Sequence, residues 1–199
     1  MRCLLTGAVV GTLITGAIQR PLAAQWAAGA ELGASRFWGG SVELTEAQRS
    51  FRPYRPTVLA ARLQREGGTL GVGMALEYFS AGLALAGAEG HLVANDIFTV
   101  YGLAPELLYR LAALGANRVL IRAGPLLEVW KIIDEGSEVR LGLQAGLSLY
   151  VPLGGRFEGT VAGGVAVVPS PFSEGQLDAS FERRPLWRRS VAVGLQYRL

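Results

Sequence analysis

Ten charged residues set the chemical question posed by this chain. Glu31, Glu77, Glu106, Glu128 and Glu158, with Arg62, Arg110, Arg122, Arg140 and Arg198, each fall on the polar face of a stretch in which apolar residues alternate with polar or small ones. Carboxylates and guanidiniums opposed in a closed space form charge-assisted hydrogen bonds, whereas the same groups buried singly would be very costly. Little else has the spacing of a reactive centre. The one histidine, His91, has no serine close to it in sequence, and nucleophilic catalysis needs base and nucleophile within hydrogen-bond reach. Carboxylates do not recur at calcium-loop spacing, and the one cysteine, Cys3, stands at the start of the chain. No cofactor, no metal and no catalytic residue are expected.

A second group is basic and aromatic. "RSFRPYRP" sets Arg49, Arg52 and Arg55 beside Phe51 and Tyr54, and "FERRPLWRR" sets Arg183, Arg184, Arg188 and Arg189 beside Phe181 and Trp187. Guanidinium groups match phosphate oxygens bidentately, so at a membrane these residues read as lipopolysaccharide contacts. In a solvated loop they would only keep it soluble.

The elements that must position these residues are strands. In "TLGVGMALEYF", Leu70, Val72, Met74, Leu76 and Tyr78 share one face, and in "VRLGLQAGLSLY" Val139, Leu141, Leu143, Leu147 and Leu149 do the same. The same period of two marks "TVLAARLQR", "RVLIRAGPLLEVW", "FEGTVAGGVAVV" and "SVAVGLQYRL", and more weakly "WAAGAELGASRFW" and "FTVYGLAPELLYRL". That makes eight strands. At roughly eleven residues each they take about half of the 175 residues left when 24 are removed from 199. "EGG", "ALGAN" and "PLGG" read as hairpin turns, and they alternate with longer connections at 39–56, 83–95, 132–138 and 169–185. "AGLALAGAEG", inside the second of these, reads as a short helix or as an extension of the third strand.

The first 24 residues are of another kind. Arg2, an apolar run from Cys3 to about Ile18, then Pro21 and small residues up to Ala24 read as a cleaved secretory signal, leaving residues 25–199 as one domain. Without Arg2 and Arg20 the 19 basic residues become 17 against 16 acidic ones, so the net charge falls from +3 to +1. Nucleic-acid binding therefore has no electrostatic basis. The rest of the chain has no run of about eighteen apolar residues that could form a membrane helix.

Strands can span a bilayer only as a closed barrel, since any unpaired backbone amide in hydrocarbon costs several kcal/mol. Eight strands close around an interior just wide enough for side chains, so the apolar faces turn outward and the ten charged residues inward. The 27 glycines, nearly twice the usual share of about 7%, leave room for arginine side chains and let strands coil. Alternation alone does not say which face is out. A soluble lipocalin-like barrel would reverse the two. The signal, the apolar C-terminal face of Val191, Val193, Leu195, Tyr197 and Leu199, and two aromatic girdles favour the membrane. Tyr109, Phe157 and Tyr197 are expected at one rim, and Phe37, Trp38, Tyr78, Trp130 and Trp187 at the other. Pro105 and Pro125 would interrupt their ladder, and a paired bulge is expected there.

Taken together, the signal, eight alternating strands, alternating connections and C-terminal strand resemble the small outer-membrane barrels of the OmpA/OmpX type. The resemblance covers residues 25–199 by pattern and not by motif. It implies an all-β, eight-stranded antiparallel up-and-down transmembrane barrel in the bacterial outer membrane, monomeric, with lipid and lipopolysaccharide as surroundings. It also implies that the last strand is read by the barrel-assembly machinery, although such strands usually end in Phe or Trp and this one ends in Leu199. Some barrels of this size are lipid A deacylases using His, Ser and an acid. With His91 alone, a non-enzymatic envelope or loop-mediated role is the leading expectation, with a narrow pore, a deacylase and a lipocalin-like binder as alternatives.

Overall fold

Each alternating stretch forms a strand, and the strands pair in antiparallel order until the sheet meets itself. The computed structural model describes residues 25–43, 50–87, 90–132, 136–170 and 181–199. The signal assigned to residues 1–24 lies outside them. The strands are β1 (Gln25–Gly39), β2 (Ser41–Glu43), β3 (Ser50–Gly67), β4 (Leu70–Gly87), β5 (Gly90–Leu114), β6 (Asn117–Ile132), β7 (Gly136–Gly154), β8 (Phe157–Val168), β9 (Phe181–Glu182) and β10 (Leu186–Arg198). Eight are long and make the wall, while β2 and β9 pair with each other beyond it. Because β1 bonds to both β10 and β3, the wall closes and has no edge. The fold is an all-β, eight-stranded antiparallel barrel.

Closure fixes the tilt. A row of paired residues followed once round the wall runs Ser35, Ser190, Gly164, Gly146, Arg122, Leu108, Gly71, Glu66 and back to β1 at Gln25. It returns ten residues nearer the start of the strand it left. A barrel staggered in this way has strands inclined by roughly 35–45° to its axis.

The hairpin turns at "EGG", "ALGAN" and "PLGG" all lie at one end, called here the turn end. In "ALGAN", Gly115 has φ of 65°, a left-handed conformation that glycine adopts without steric cost. The opposite, loop end differs from expectation. The expected connection at 83–95 is mostly strand: β4 continues to Gly87 and β5 starts at Gly90, with Leu83↔Ala94 to Gly87↔Gly90 paired after a register shift at Ala81/Leu83. Of the two readings of "AGLALAGAEG", the extension holds, since hairpin pairing satisfies backbone groups that a loop would leave to water. Likewise β3 begins at Ser50, inside the connection expected at 39–56, and β7 at Gly136.

The expected bulge at the two prolines is absent. Leu103 faces Leu127 and Leu107 faces Ala123 with no change of register, so Pro105 and Pro125 stand directly opposite each other between them. A bulge relieves a mismatch in residue count, and here there is none. Both prolines lack an N–H, so the gap in the ladder strands no donor at this position.

The faces sort cleanly. Leu141, Leu143 and Val191 are 66%, 63% and 65% exposed on the outer wall, beside many other aliphatic side chains. The interior holds an apolar cluster at the loop end and charged groups elsewhere.

Candidate functional site

The lumen is where the charged residues meet. In its middle, Arg62 on β3 donates from Nε to Glu31 of β1 at 2.9 Å and from Nη1 to Glu106 of β5 at 2.6 Å, with Glu77 of β4 3.9 Å from Nη2. Arg122 on β6 donates to the other oxygen of Glu31 at 3.2 Å. Gln144 of β7 donates to Glu106 at 2.9 Å. Five strands are thus joined through two guanidiniums. The register puts them there: each residue is at an inward position, and the small residues Gly33, Gly146, Gly164 and Ala162 that line the same space leave width for the arginine side chains. The space left beside Arg62 and Arg122 is about 50 Å³, room for a few water molecules and no solute.

Toward the turn end lies a second cluster. Arg118 bridges Glu66 and Glu158, Arg110 donates to Glu66 at 3.1 Å, and Arg198 donates to Glu158, which also accepts from Gln196 at 3.2 Å. Tyr150 donates to Gln64 at 3.1 Å, and its ring lies under the Arg118 guanidinium.

Toward the loop end the lumen becomes aromatic. Trp130 packs edge-on against Phe37, Phe79 and Phe98, with centroids 5.7–6.2 Å apart, and these rings fill the barrel above the charges. Its indole N–H donates to Glu128 at 2.9 Å, so the plug is tied to the layer below. Glu128, 1% exposed, also lies 3.5 Å from Nη1 of Arg188.

Several expectations change here. Arg188, expected at a lipid headgroup, points inward: its side chain is 5% exposed and its Nη2 donates to Glu77 at 2.5 Å. β10 starts at Leu186, and alternation from Ser190 back through Arg188 sets that side chain on the lumen face. Phe37 and Trp130, expected in an aromatic girdle, are inside the barrel for the same reason; they share the faces of Glu31 and Glu128. Arg140 is nearer the rim than the central cluster, in register with Glu128. It lies at the loop end, donating to the Ser170 carbonyl at 2.8 Å and to Glu138 at 3.2 Å. Glu66 and Arg118, not singled out in the sequence, are central to the turn-end cluster. The described lumen therefore pairs six carboxylates (Glu31, Glu66, Glu77, Glu106, Glu128 and Glu158) with six guanidiniums (Arg62, Arg110, Arg118, Arg122, Arg188 and Arg198).

The remaining candidates lie at the rims. Arg49 is outside the described residues, as are the side chains of Arg52, Arg55 and His91. Arg183 and Arg184 precede β10, and Arg184 pairs with Glu182 at 2.5 Å. Arg189 is exposed on the outer wall with its guanidinium 5.3 Å over the ring of Trp38. Val191, Val193, Leu195, Tyr197 and Leu199 are all exposed on that wall, and the amide of Leu199 donates to the carbonyl of Trp26 at 2.9 Å.

No protein-family model matches the chain, and no curated protein matches it in sequence. Its backbone superposes on the crystal structure of Neisserial surface protein A over 86% of this chain and 96% of that one, with a TM-score of 0.52 at 9% identity. It also superposes on the solid-state NMR structure of outer membrane protein AlkL in lipid bilayers over 88% and 90%, with a TM-score of 0.51 at 13% identity. The chain has the fold of the small eight-stranded outer-membrane barrels. That fold, with its apolar side out, is the inverse of the lipocalin-like alternative.

Proposed function

We propose that the protein is a closed, non-enzymatic barrel of the bacterial outer membrane, a monomer whose work is done at its loop end. The observation that carries this reading is the division of one wall into two faces. Outside, aliphatic side chains are solvent-exposed on every long strand, an arrangement stable only against lipid. Inside, paired charges and an aromatic plug occupy the lumen, which supports a closed barrel over a pore. A wall of this kind anchors what it carries, and what it carries is the loop end: the long β4–β5 hairpin, the β2–β9 pair and the basic segments around Arg52 and Arg183. In this reading residues 1–24 direct export and are cleaved, and the β10 face from Val191 to Leu199 is presented to the assembly machinery. Arg49, Arg52, Arg55, Arg183, Arg184 and Arg189 then face the phosphorylated outer leaflet.

The test is fractionation of expressing cells followed by gel mobility of unheated and boiled samples. Recovery in outer membranes with a band that shifts on boiling supports the reading. Recovery as a detergent-free periplasmic monomer would overturn it.

A further inference from the structure

Two arginines stand side by side on the outer wall with no acid among the described residues to pair them. Arg36 of β1 and Arg189 of β10 are register partners, both exposed, next to the stacked pair Trp38–Trp187 whose rings lie 6.0 Å apart. Among the described residues no carboxylate bonds to either guanidinium; the Glu182 carboxylate is taken by Arg184. Like charges directly opposed across a ladder destabilise it. The wall therefore carries a local cost that a bound anion would remove.

The same row of residues leads into an apolar depression. From Arg36 and Arg189 the register passes to Val165, Ala145 and Ala123; the next row passes from Trp38 and Trp187 to Val167, Leu143 and Pro125. Small side chains at Ala145 and Ala123, between Leu143 and Val165 and below Trp187, leave a hollow of about 400 Å³ in the outer wall. Rows in this barrel descend toward the turn end: the row through Arg36 continues by Leu107, Val72 and Arg65 to Trp26, ten residues earlier on β1. The hollow thus lies deeper than the cations, on the side where an acyl chain hangs from its headgroup.

We propose that Arg36 and Arg189 hold the phosphate of an acylated, phosphorylated glycolipid of the outer leaflet, with one acyl chain lying in the hollow between Ala123, Ala145 and Trp187. Two forked guanidiniums bind a phosphate bidentately, which neutralises both charges, and the flanking tryptophans mark the headgroup level. A free phosphate ion would satisfy the arginines but leave the hollow unused. The proposal rests on the outer-membrane reading above.

The experiment measures retention of bisphosphorylated hexa-acyl lipid A by the purified full chain in detergent, using native mass spectrometry, with dephosphorylated lipid A and free pyrophosphate as controls. The wild type is expected to retain lipid A, to lose it roughly tenfold or more in Arg36→Ala/Arg189→Ala, and to bind it more weakly in Ala145→Phe, which fills the hollow without touching a charge. Pyrophosphate should not displace it. Each variant is first checked for the boiling-dependent band shift, so that an absent barrel, which would defeat the outer-membrane reading, is told apart from a folded barrel with unaltered lipid retention. Equal retention by wild type and double variant, or equal retention of dephosphorylated lipid A, would overturn the site; displacement by pyrophosphate would reduce it to a simple anion site and overturn the acyl half.

Discussion

Arg188 on β10 reaches across the lumen to Glu77 on β4, 111 residues away in sequence, while its neighbour Arg189 lies on the opposite side of the same wall. One peptide bond separates a buried cation from one exposed on the outer wall. Removing the buried partner leaves Glu77 and Glu128 in a space with almost no water, and an uncompensated buried charge costs about 3–5 kcal/mol. Arg188→Ala should therefore lower the urea midpoint for loss of the folded gel band severely, and Glu77→Gln in the same chain should restore part of it. Arg189→Ala should shift that midpoint little. Equal midpoints for the two single variants would place Arg188 outside the lumen.

The division of faces has its own test at Leu143 and Gln144, adjacent on β7. Leu143 is exposed on the outer wall, and in the proposed outer membrane an arginine there should cost about 2–4 kcal/mol if it lies near mid-membrane. Gln144 donates to Glu106, so replacement by another polar residue forfeits one hydrogen bond, about 1 kcal/mol. Leu143→Arg should thus depress the yield of heat-modifiable barrel in membranes far more than Gln144→Asn. Comparable yields would mean that the faces are reversed.

These positions also explain what could be read in advance. Strand number and the grouping of apolar residues on one face follow from a period of two, which needs only sequence. Closure and the outward sense of that face rest on further arguments, the pairing of every amide and the aromatic and C-terminal patterns. Arg188, Trp130 and Phe37 obey the same period as Ser190, Glu128 and Glu31, yet composition argued the other way: an arginine beside Trp187 resembles a headgroup contact, and an aromatic near a strand end resembles a girdle. Strand length decided it, because β10 starts earlier than the basic segment implies and alternation then places Arg188 inside. Glu66 and Arg118 were hidden because they border turns, where periodicity is hard to extend. The partners of Arg62 could not be read at all. They depend on a stagger of ten residues around the wall, a property of closure that no single strand carries.

The lumen should be electrically quiet. With the interior filled by six ion-paired arginines and an aromatic plug, the wild type in planar bilayers should show little or no steady conductance. Truncating Arg62, Arg122 and Arg188 together should open a leak and lower stability, since each loss leaves a glutamate unpaired. Removing Trp130 alone should destabilise by a large-to-small core cost of about 3–5 kcal/mol without opening the channel, because the charged layers below remain. Large, stable conductance from the unmodified protein would favour the pore.

The two prolines give the sharpest local prediction. Pro105 and Pro125 face each other where the β5–β6 ladder lapses, the strands stay in register across the gap, and the Pro105 carbonyl crowds the position that a Cβ on Gly124 would take. A Cβ at position 124 would sit 2.0 Å from that oxygen, a backbone atom that cannot swing aside as a side-chain tip would. Gly124→Ala must push β5 and β6 apart at a point where hydrogen bonds no longer hold them, and overpacking of this kind costs about 1–3 kcal/mol. At Gly163, where a Cβ would meet nothing nearer than 3.8 Å, the same substitution should be close to neutral. Urea midpoints of the folded band for Gly124→Ala and Gly163→Ala, measured side by side, check this. If Gly124→Ala proves no less stable than Gly163→Ala, the strands do not approach so closely at the proline pair.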